Sequence, residues 1–244
     1  MIKRIFLIIS IFLIQMSFAK NIAIIGAMDC EIENIQKQIT SKKVQKFNNF
    51  EITKGKLGKN KVILSISGVG KVNSAITTQF IIDKYKPDYI INTGIAGSLD
   101  KNFKKGDIVV AEKMIQHDFD LTDFGGAKGY MDTGINPDEP TVFNSDKDLM
   151  DLFLKNFDAK KGTILTGDTF IGNKNYKQKL NKQFKAHAID MESAAIAQTA
   201  QLNNIPIIVI RTISDSSDVE EYKKNKLIYA KKSAQIIIDF IEAK

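Results

Sequence analysis

The sequence predicts one α/β domain, a twisted mixed but mostly parallel sheet flanked by helices. Three observations predict it. Short β-branched apolar runs recur at 21–27, 89–93 and 207–210. Stretches with helical spacing alternate with them, and no repeat or low-complexity linker divides the chain.

Residues 21–27 (NIAIIGA) read as a buried strand, and 28–39 carry Ile32, Ile35 and Ile39 at helical spacing. Residues 50–57 and 61–67 read as a hairpin around Gly58-Lys59-Asn60. Gly68–Gly70 leads into a helix over 71–85, which Lys86-Pro87-Asp88 breaks. Residues 89–93 (YIINT) form the next buried strand, ending at Gly94, and 106–111 (GDIVVA) form another. The polar, Gly-rich span 118–136 reads as a long loop, a feature that is usually functional inside a compact domain. Short strands follow at 163–166 and 188–191, then an alanine-rich helix over 192–203. Pro206 precedes the strand 207–215, and a final helix runs over 222–243.

The first nineteen residues read differently. Lys3 and Arg4 precede an apolar run over 5–14 broken only by Ser10, and Ser17-Phe18-Ala19 makes a small-x-small exit. This is the pattern of a secretory signal peptide, with an uncleaved membrane anchor as the alternative. The domain reading is therefore 1–19 signal and 20–244 globular, with export to the periplasm or cell surface. Removing 1–19 leaves 225 residues and lowers the formal charge from +7 to +5, because no acid leaves with Lys3 and Arg4. That length suits one domain with a substantial core.

Lysines are spread along the chain, as at Lys54, Lys56, Lys59 and Lys61, at Lys174, Lys177, Lys179 and Lys182, and at Lys223, Lys224 and Lys226. Aromatic residues rarely interleave with them, which argues against nucleic acid as a partner. A polyanion-binding patch stays open. Cys30 is the only cysteine, so no intramolecular disulfide forms, and it reads as a small buried residue. His117 and His187 have no ligand spacing, which argues against zinc. No metal or cofactor is expected.

The candidate chemistry sits where strands end. Arg211, Ser214 and Asp215 lie at the carboxyl end of the last strand, where open α/β sheets place their ligands. A carboxylate half out of water there gains a raised pKa and can act as an acid near neutrality. Ser-Asp-Ser-Ser-Asp is also ordinary turn and cap composition, so a plain strand-to-turn boundary fits too. Glu31 and Glu192 likewise follow apolar strands, and each would also serve simply as a helix first-turn acid. If the three strands are parallel neighbours, the three carboxylates share one crevice.

Seven segments occur in order: GAMDCE (26–31), SGVGKVNSA (67–75), INTGIAGSL (91–99), HDFDLTDFG (117–125), TGDTFI (166–171), DMESAAIA (190–197) and VIRTISD (209–215). Together they closely resemble the 5′-methylthioadenosine/S-adenosylhomocysteine nucleosidases of the nucleoside phosphorylase superfamily, across nearly all of the chain after residue 19. The resemblance implies a nucleoside phosphorylase-like fold and a cofactor-free hydrolase of adenine thionucleosides, with 5′-deoxyadenosine as a third substrate. It implies Asp215 as the proton donor to adenine N7, Glu31 as the base that activates water, and Glu192 as the holder of the ribose hydroxyls. It further implies contacts from Ala27, Met28, Val69, Gly97 and Met191, backbone contacts to adenine at Phe170 and Ile171 with the Phe170 ring on the base, and a supporting place for Arg211 and Ser214.

It also implies a homodimer in which Leu121 and Phe124 reach the partner's site; two core residues of a local loop is the other reading. Many relatives carry Ser where this chain has Ile95, which leaves orientation of the acid to Ser214 or to backbone donors. Tyr222 is the expected aromatic closing over the base. A purine nucleoside phosphorylase is the alternative enzyme, but it needs cations for phosphate, whereas the loop after the first strand offers Asp29 and Glu31 and no arginine. From another class, an exported polyanion-binding (glycosaminoglycan-binding) surface protein retaining the fold is the alternative.

Overall fold

Alternate side chains of the first strand, β1 (Asn21–Gly26), enter two separate apolar clusters. Ile22 and Ile24 join one, Ala23 and Ile25 the other. Both faces of the sheet are therefore covered, as a nearly continuous apolar strand requires. The computed structural model describes residues 19–47, 50–132, 136–216 and 218–243. Apart from Ala19, the expected export segment 1–19 lies outside the described residues.

Helix α1 (Asp29–Gln38) follows, then β2 (Thr40–Phe47), β3 (Phe50–Leu57), β4 (Asn60–Ile66) and α2 (Lys71–Tyr85). The expected hairpin is β3–β4, antiparallel with Leu57 opposite Asn60. Strand β2 was not expected. Its sequence, TSKKVQKF, is mostly exposed, so it carries little of the apolar alternation that marks a strand. Helix α2 ends where Lys86 turns left-handed and its N–H bonds to Ile82 O.

Strand β5 (Tyr89–Ser98) does not stop at Gly94 as expected but runs four residues further. Strand β6 (Ile108–Gln116) likewise begins later and ends later than 106–111. The long loop is present, with one 3-10 turn (Thr122–Phe124), and residues 133–135 of it lie outside the described ones. Next come β7 (Phe143–Asn144), α3 (Lys147–Asn156), β8 (Lys160–Thr166), α4 (Lys174–Phe184), β9 (Ala188–Asp190), α5 (Ser193–Leu202), β10 (Ile207–Asp215) and α6 (Val219–Glu242). Neither α3 nor α4 was expected; each starts on a side-chain cap, Asp146 to Leu149 N–H and Asn173 to Tyr176 N–H. Asp218 caps α6 in the same way, which starts that helix three residues before Tyr222.

The strands β1, β5 and β10 are parallel neighbours. Beyond them β10 pairs antiparallel with β6, β6 parallel with β8, and β8 parallel with β9, which returns to β5. That circuit closes on itself, while β4, β3 and β2 extend the sheet outward from β1. Helices α1, α3 and α6 share one apolar cluster, α2 and α5 the other, and α4 sits over a third with Leu165 and Ile189. One expectation changes here: β9, which delivers Glu192, is antiparallel to β5 rather than a parallel neighbour. On that edge of β5, β1 pairs as far as Asn92 and β9 begins at Gly97. The stretch between them has no strand partner on that side, and the site opens there.

Candidate active site

Glu31 stands in the first turn of α1, held by three backbone donors. Its Oε2 accepts from Ala27 N–H at 2.8 Å and Met28 N–H at 3.1 Å, and its Oε1 accepts from Ile95 N–H at 3.0 Å. The Ile95 donor belongs to the unpaired stretch of β5. Burial pushes the Glu31 carboxyl above its ordinary range, against the pull of Arg211 and the three N–H groups.

Arg211 is buried at the centre of β10. Its Nε donates to Asp190 Oδ2 at 2.8 Å, and its Nη2 to Asn92 Oδ1 at 2.8 Å and Ser193 Oγ at 3.0 Å. Its Nη1 donates to no protein group. Gly94 is what lets the two charges approach, because a Cβ there would collide with both Arg211 Nη1 and Glu31 Oε1. Burial alone would lower the Arg211 pKa, but Asp190, Glu31 and Glu192 outweigh it and keep the guanidinium charged.

Glu192 precedes α5. Its Oε1 accepts from Gly70 N–H at 3.1 Å and its Oε2 lies 3.9 Å from Arg211 Nη2. Burial, then the charge of Asp190, push it up to about 8 despite Arg211. Asp190 is fixed in turn by Thr166 Oγ1 at 2.7 Å, by the N–H groups of Glu192 and Ser193, and by a short bond from Ser193 Oγ. Asp215 ends β10, 2% exposed. Ser214 Oγ donates to its Oδ2 at 2.6 Å and Asp218 N–H to its Oδ1 at 3.2 Å.

These groups surround a cavity of about 150 Å³. Of the expected contacts, Ala27, Met28, Val69, Gly97 and Phe170 line it. So do Met191, Glu192, Ser214, Asp215 and Glu31. Tyr222 lines it as well, its ring 5.6 Å from that of Phe170 and edge-on to it, its hydroxyl 3.5 Å from Met28 Sδ. Arg211 lies beneath the cavity rather than on its wall. Ile171, expected at the site, does not line the cavity; its side chain belongs to the apolar cluster with Leu165 and Leu180. Leu121 and Phe124 do not line it either. Phe124 is 89% exposed, which overturns the reading of a core residue in a local loop. Cys30 is half-buried in α1 instead of fully buried.

Three site groups escaped the residue-level reading: Asp190, Asn92 and the Gly70 N–H. Asp190 opens the segment DMESAAIA, so its position was visible, but its pairing with Arg211 spans 21 residues and Gly70–Glu192 spans 122.

The sequence matches the family described as the phosphorylase superfamily over residues 21–242. It is 43% identical over 203 residues to the 5′-methylthioadenosine/S-adenosylhomocysteine nucleosidase of Buchnera aphidicola subsp. Acyrthosiphon pisum, covering 81% of this chain and 85% of that protein. The chain belongs to this nucleosidase family. A second member of the family, from Staphylococcus haemolyticus, is 39% identical over 200 residues, covering 80% of this chain and 86% of its own. Among solved structures of the family, the nucleosidase of Neisseria meningitidis in complex with methylthio-immucillin-A aligns with a TM-score of 0.85 at 33% identity, over 92% of this chain and 100% of that one.

Proposed function

We propose that the protein hydrolyses the N-glycosidic bond of 5′-methylthioadenosine and S-adenosylhomocysteine, releasing adenine and the thioribose, and accepts 5′-deoxyadenosine by the same chemistry. One observation carries the reading: Glu31, Glu192 and Asp215 come from three segments to one small cavity, two of them with carboxyls raised by burial.

Loss of adenine leaves an oxocarbenium-like ribose and needs a proton on a poor leaving group. Asp215, held by Ser214 and Asp218, donates that proton to adenine N7 while the base packs against the wall that the Phe170 and Tyr222 rings form together. Glu31, raised toward neutrality, takes a proton from water as it attacks the sugar. Arg211 Nη1, which has no protein acceptor, lies with Glu31 Oε1 beside Gly94 and is free to donate to that water. Glu192 accepts from the ribose hydroxyls. Phosphorolysis is disfavoured because no lysine or arginine is among the residues lining the cavity, while four carboxylates, those of Glu31, Asp190, Glu192 and Asp215, are. The test is purified protein with methylthioadenosine in phosphate-free buffer: free adenine supports hydrolysis, and turnover only after phosphate is added overturns it.

The protein acts as a homodimer in this reading. Phe124 on the long loop, Val72 and Ile76 on α2 and Leu202 at the end of α5 are all exposed, apolar surface that a second copy would cover. Export through residues 1–19 also belongs to the proposal, tested by the N-terminal sequence of protein recovered from cells. Polyanion binding has one supporting feature, a cleft of about 930 Å³ beside Asp215 lined by Lys101, Lys104, Lys105, Lys174 and Lys177. Retention on a sulfated-polysaccharide matrix that fades with added salt, and is lost on replacing Lys101, Lys104 and Lys174 by Ser, tests it.

A further inference from the structure

Three sequence segments that lie far apart meet outside the cavity, on the side chain of Asp118. Its Oδ1 forms an ion pair with Lys71 Nζ at 2.7 Å, both side chains partly buried. Its Oδ2 accepts from Asp168 N–H at 3.0 Å. Asp168 Oδ1 in turn accepts from Lys71 N–H at 2.8 Å. The triangle is therefore closed: the end of β6, the start of α2 and the loop after β8 are tied pairwise.

Each corner leads to the proposed chemistry. Lys71 follows Gly70, whose N–H is the backbone donor to Glu192. Asp168 is two residues before Phe170, which lines the cavity. Asp118 itself begins the loop that carries Leu121 and Phe124. Next to it the buried His117 ring packs directly on Gly167, where any side chain would collide with it, and His117 N–H bonds to Thr166 O at 3.0 Å. The base of that loop is thus seated under the segment that presents Phe170.

We propose that Asp118 is a positioning residue for the reaction, holding Gly70 against Glu192 and Phe170 over the cavity and coupling both to the loop that carries Phe124. This rests on the hydrolase reading above. A rigid corner matters because the ribose acceptor and the base platform sit on different loops, and a shift of either misplaces the sugar relative to Asp215 and Glu31. The ion pair and the N–H bond are both charge-assisted, the stronger kind of hydrogen bond.

The test is a double-mutant cycle on adenine release from methylthioadenosine, with Asp118→Ala, Asp118→Asn, Glu192→Gln and the combination of Asp118→Ala with Glu192→Gln. Losing both contacts should lower kcat/KM about 10- to 100-fold, chiefly through KM, because the ribose contacts already exist in the bound substrate. Asp118→Asn keeps an acceptor for Asp168 N–H and should recover part of that loss. In the Glu192→Gln background Asp118→Ala should cost at least about 3-fold less than in the wild type, since one of the two groups it positions is already impaired. Equal losses in both backgrounds, accompanied by a matching fall in melting temperature, would show a merely structural role and overturn the proposal. Full activity of Asp118→Ala would overturn it as well. A wild-type protein that releases no adenine removes the hydrolase reading first and the positioning role with it, an outcome distinct from an active wild type with an indifferent Asp118.

Discussion

The hydroxyl of Ser214 donates to Oδ2 of its neighbour Asp215 at 2.6 Å, while the N–H of Asp218 reaches Oδ1 at 3.2 Å. The carboxyl is thereby held at both oxygens, by the end of β10 on one side and the cap of α6 on the other. Ile95 gives its backbone N–H to Glu31 and has no side-chain donor for Asp215. Both kinds of donor expected at this carboxyl, the Ser214 hydroxyl and a backbone N–H, therefore reach it.

Replacing Asp215 by Asn should lower kcat by roughly 10²–10⁴ if it supplies the proton to the leaving base. Ser214→Ala should cost about 10-fold, the value of one hydrogen bond to a charged group. Both are read as initial rates of adenine release. An undiminished rate in Asp215→Asn takes that residue out of the mechanism.

Glu31→Gln should affect rate and stability together. The carboxylate accepts three backbone N–H groups through both oxygens, and an amide would turn an NH₂ toward one of those donors. A buried donor left unmatched costs about 1–3 kcal/mol, and the melting temperature should fall by roughly 2–4 °C for each kcal/mol. The rate should fall about 10²–10⁴-fold with loss of the base. A variant that melts with the wild type and keeps its rate contradicts both roles.

Glu192 gives the pH dependence. Its pKa in the folded protein is about 8, above the ordinary 4.5, because burial and Asp190 disfavour the charged form. Between those values the folded state binds the extra proton, so this group's contribution to stability is full below pH 4.5 and is lost as pH rises through 8. Glu192→Gln removes the titration. Its melting temperature should gain on the wild type between pH 5 and pH 9, by about 1 kcal/mol or more of relative stability. Parallel melting curves across that range would mean the carboxyl is already ionised at neutral pH.

Phe124→Ala tests the partner's contribution. An 89% exposed side chain contributes little to its own subunit's core, so the melting temperature of the subunit should hold. If the ring covers the alkylthio group in a second copy, KM for methylthioadenosine should rise about 10-fold or more, the value of burying an aromatic side chain. Sedimentation analysis of the wild type and of Ile76→Lys reports whether the same surface holds two copies together. An unchanged KM together with a monomeric wild type removes the dimer from the account.

The sequence by itself determined the strands that carry the site and the acids at their ends. Four successive β-branched apolar residues after Pro206, and the run NIAIIG, can be satisfied only by burial on both faces, so β1 and β10 were legible without any partner. The isoleucine spacing that marked α1, and the end of α2 at Lys86-Pro87, are equally local. The polar edge strand β2 escaped because an exposed strand shows little apolar alternation, whereas α3 and α4 carried a local signal, an Asp146 or Asn173 cap ahead of the buried Met150 and Phe153 or Leu180 and Phe184.

Only the tertiary structure decided how the acids face one another. Glu192 arrives on a strand antiparallel to β5, and it meets Glu31 and Arg211 because β5 runs on past Gly94, leaving an unpaired stretch between β1 and β9. The Gly70 donor to Glu192, the Asp190 pair beneath Arg211 and the corner at Asp118 likewise depend on crossovers and register. Periodicity along a chain reports which side chains leave water, since burial is set residue by residue. Which buried charge neutralises which is set by distances between segments as far apart in sequence as those of Glu31 and Arg211, and no local pattern encodes those.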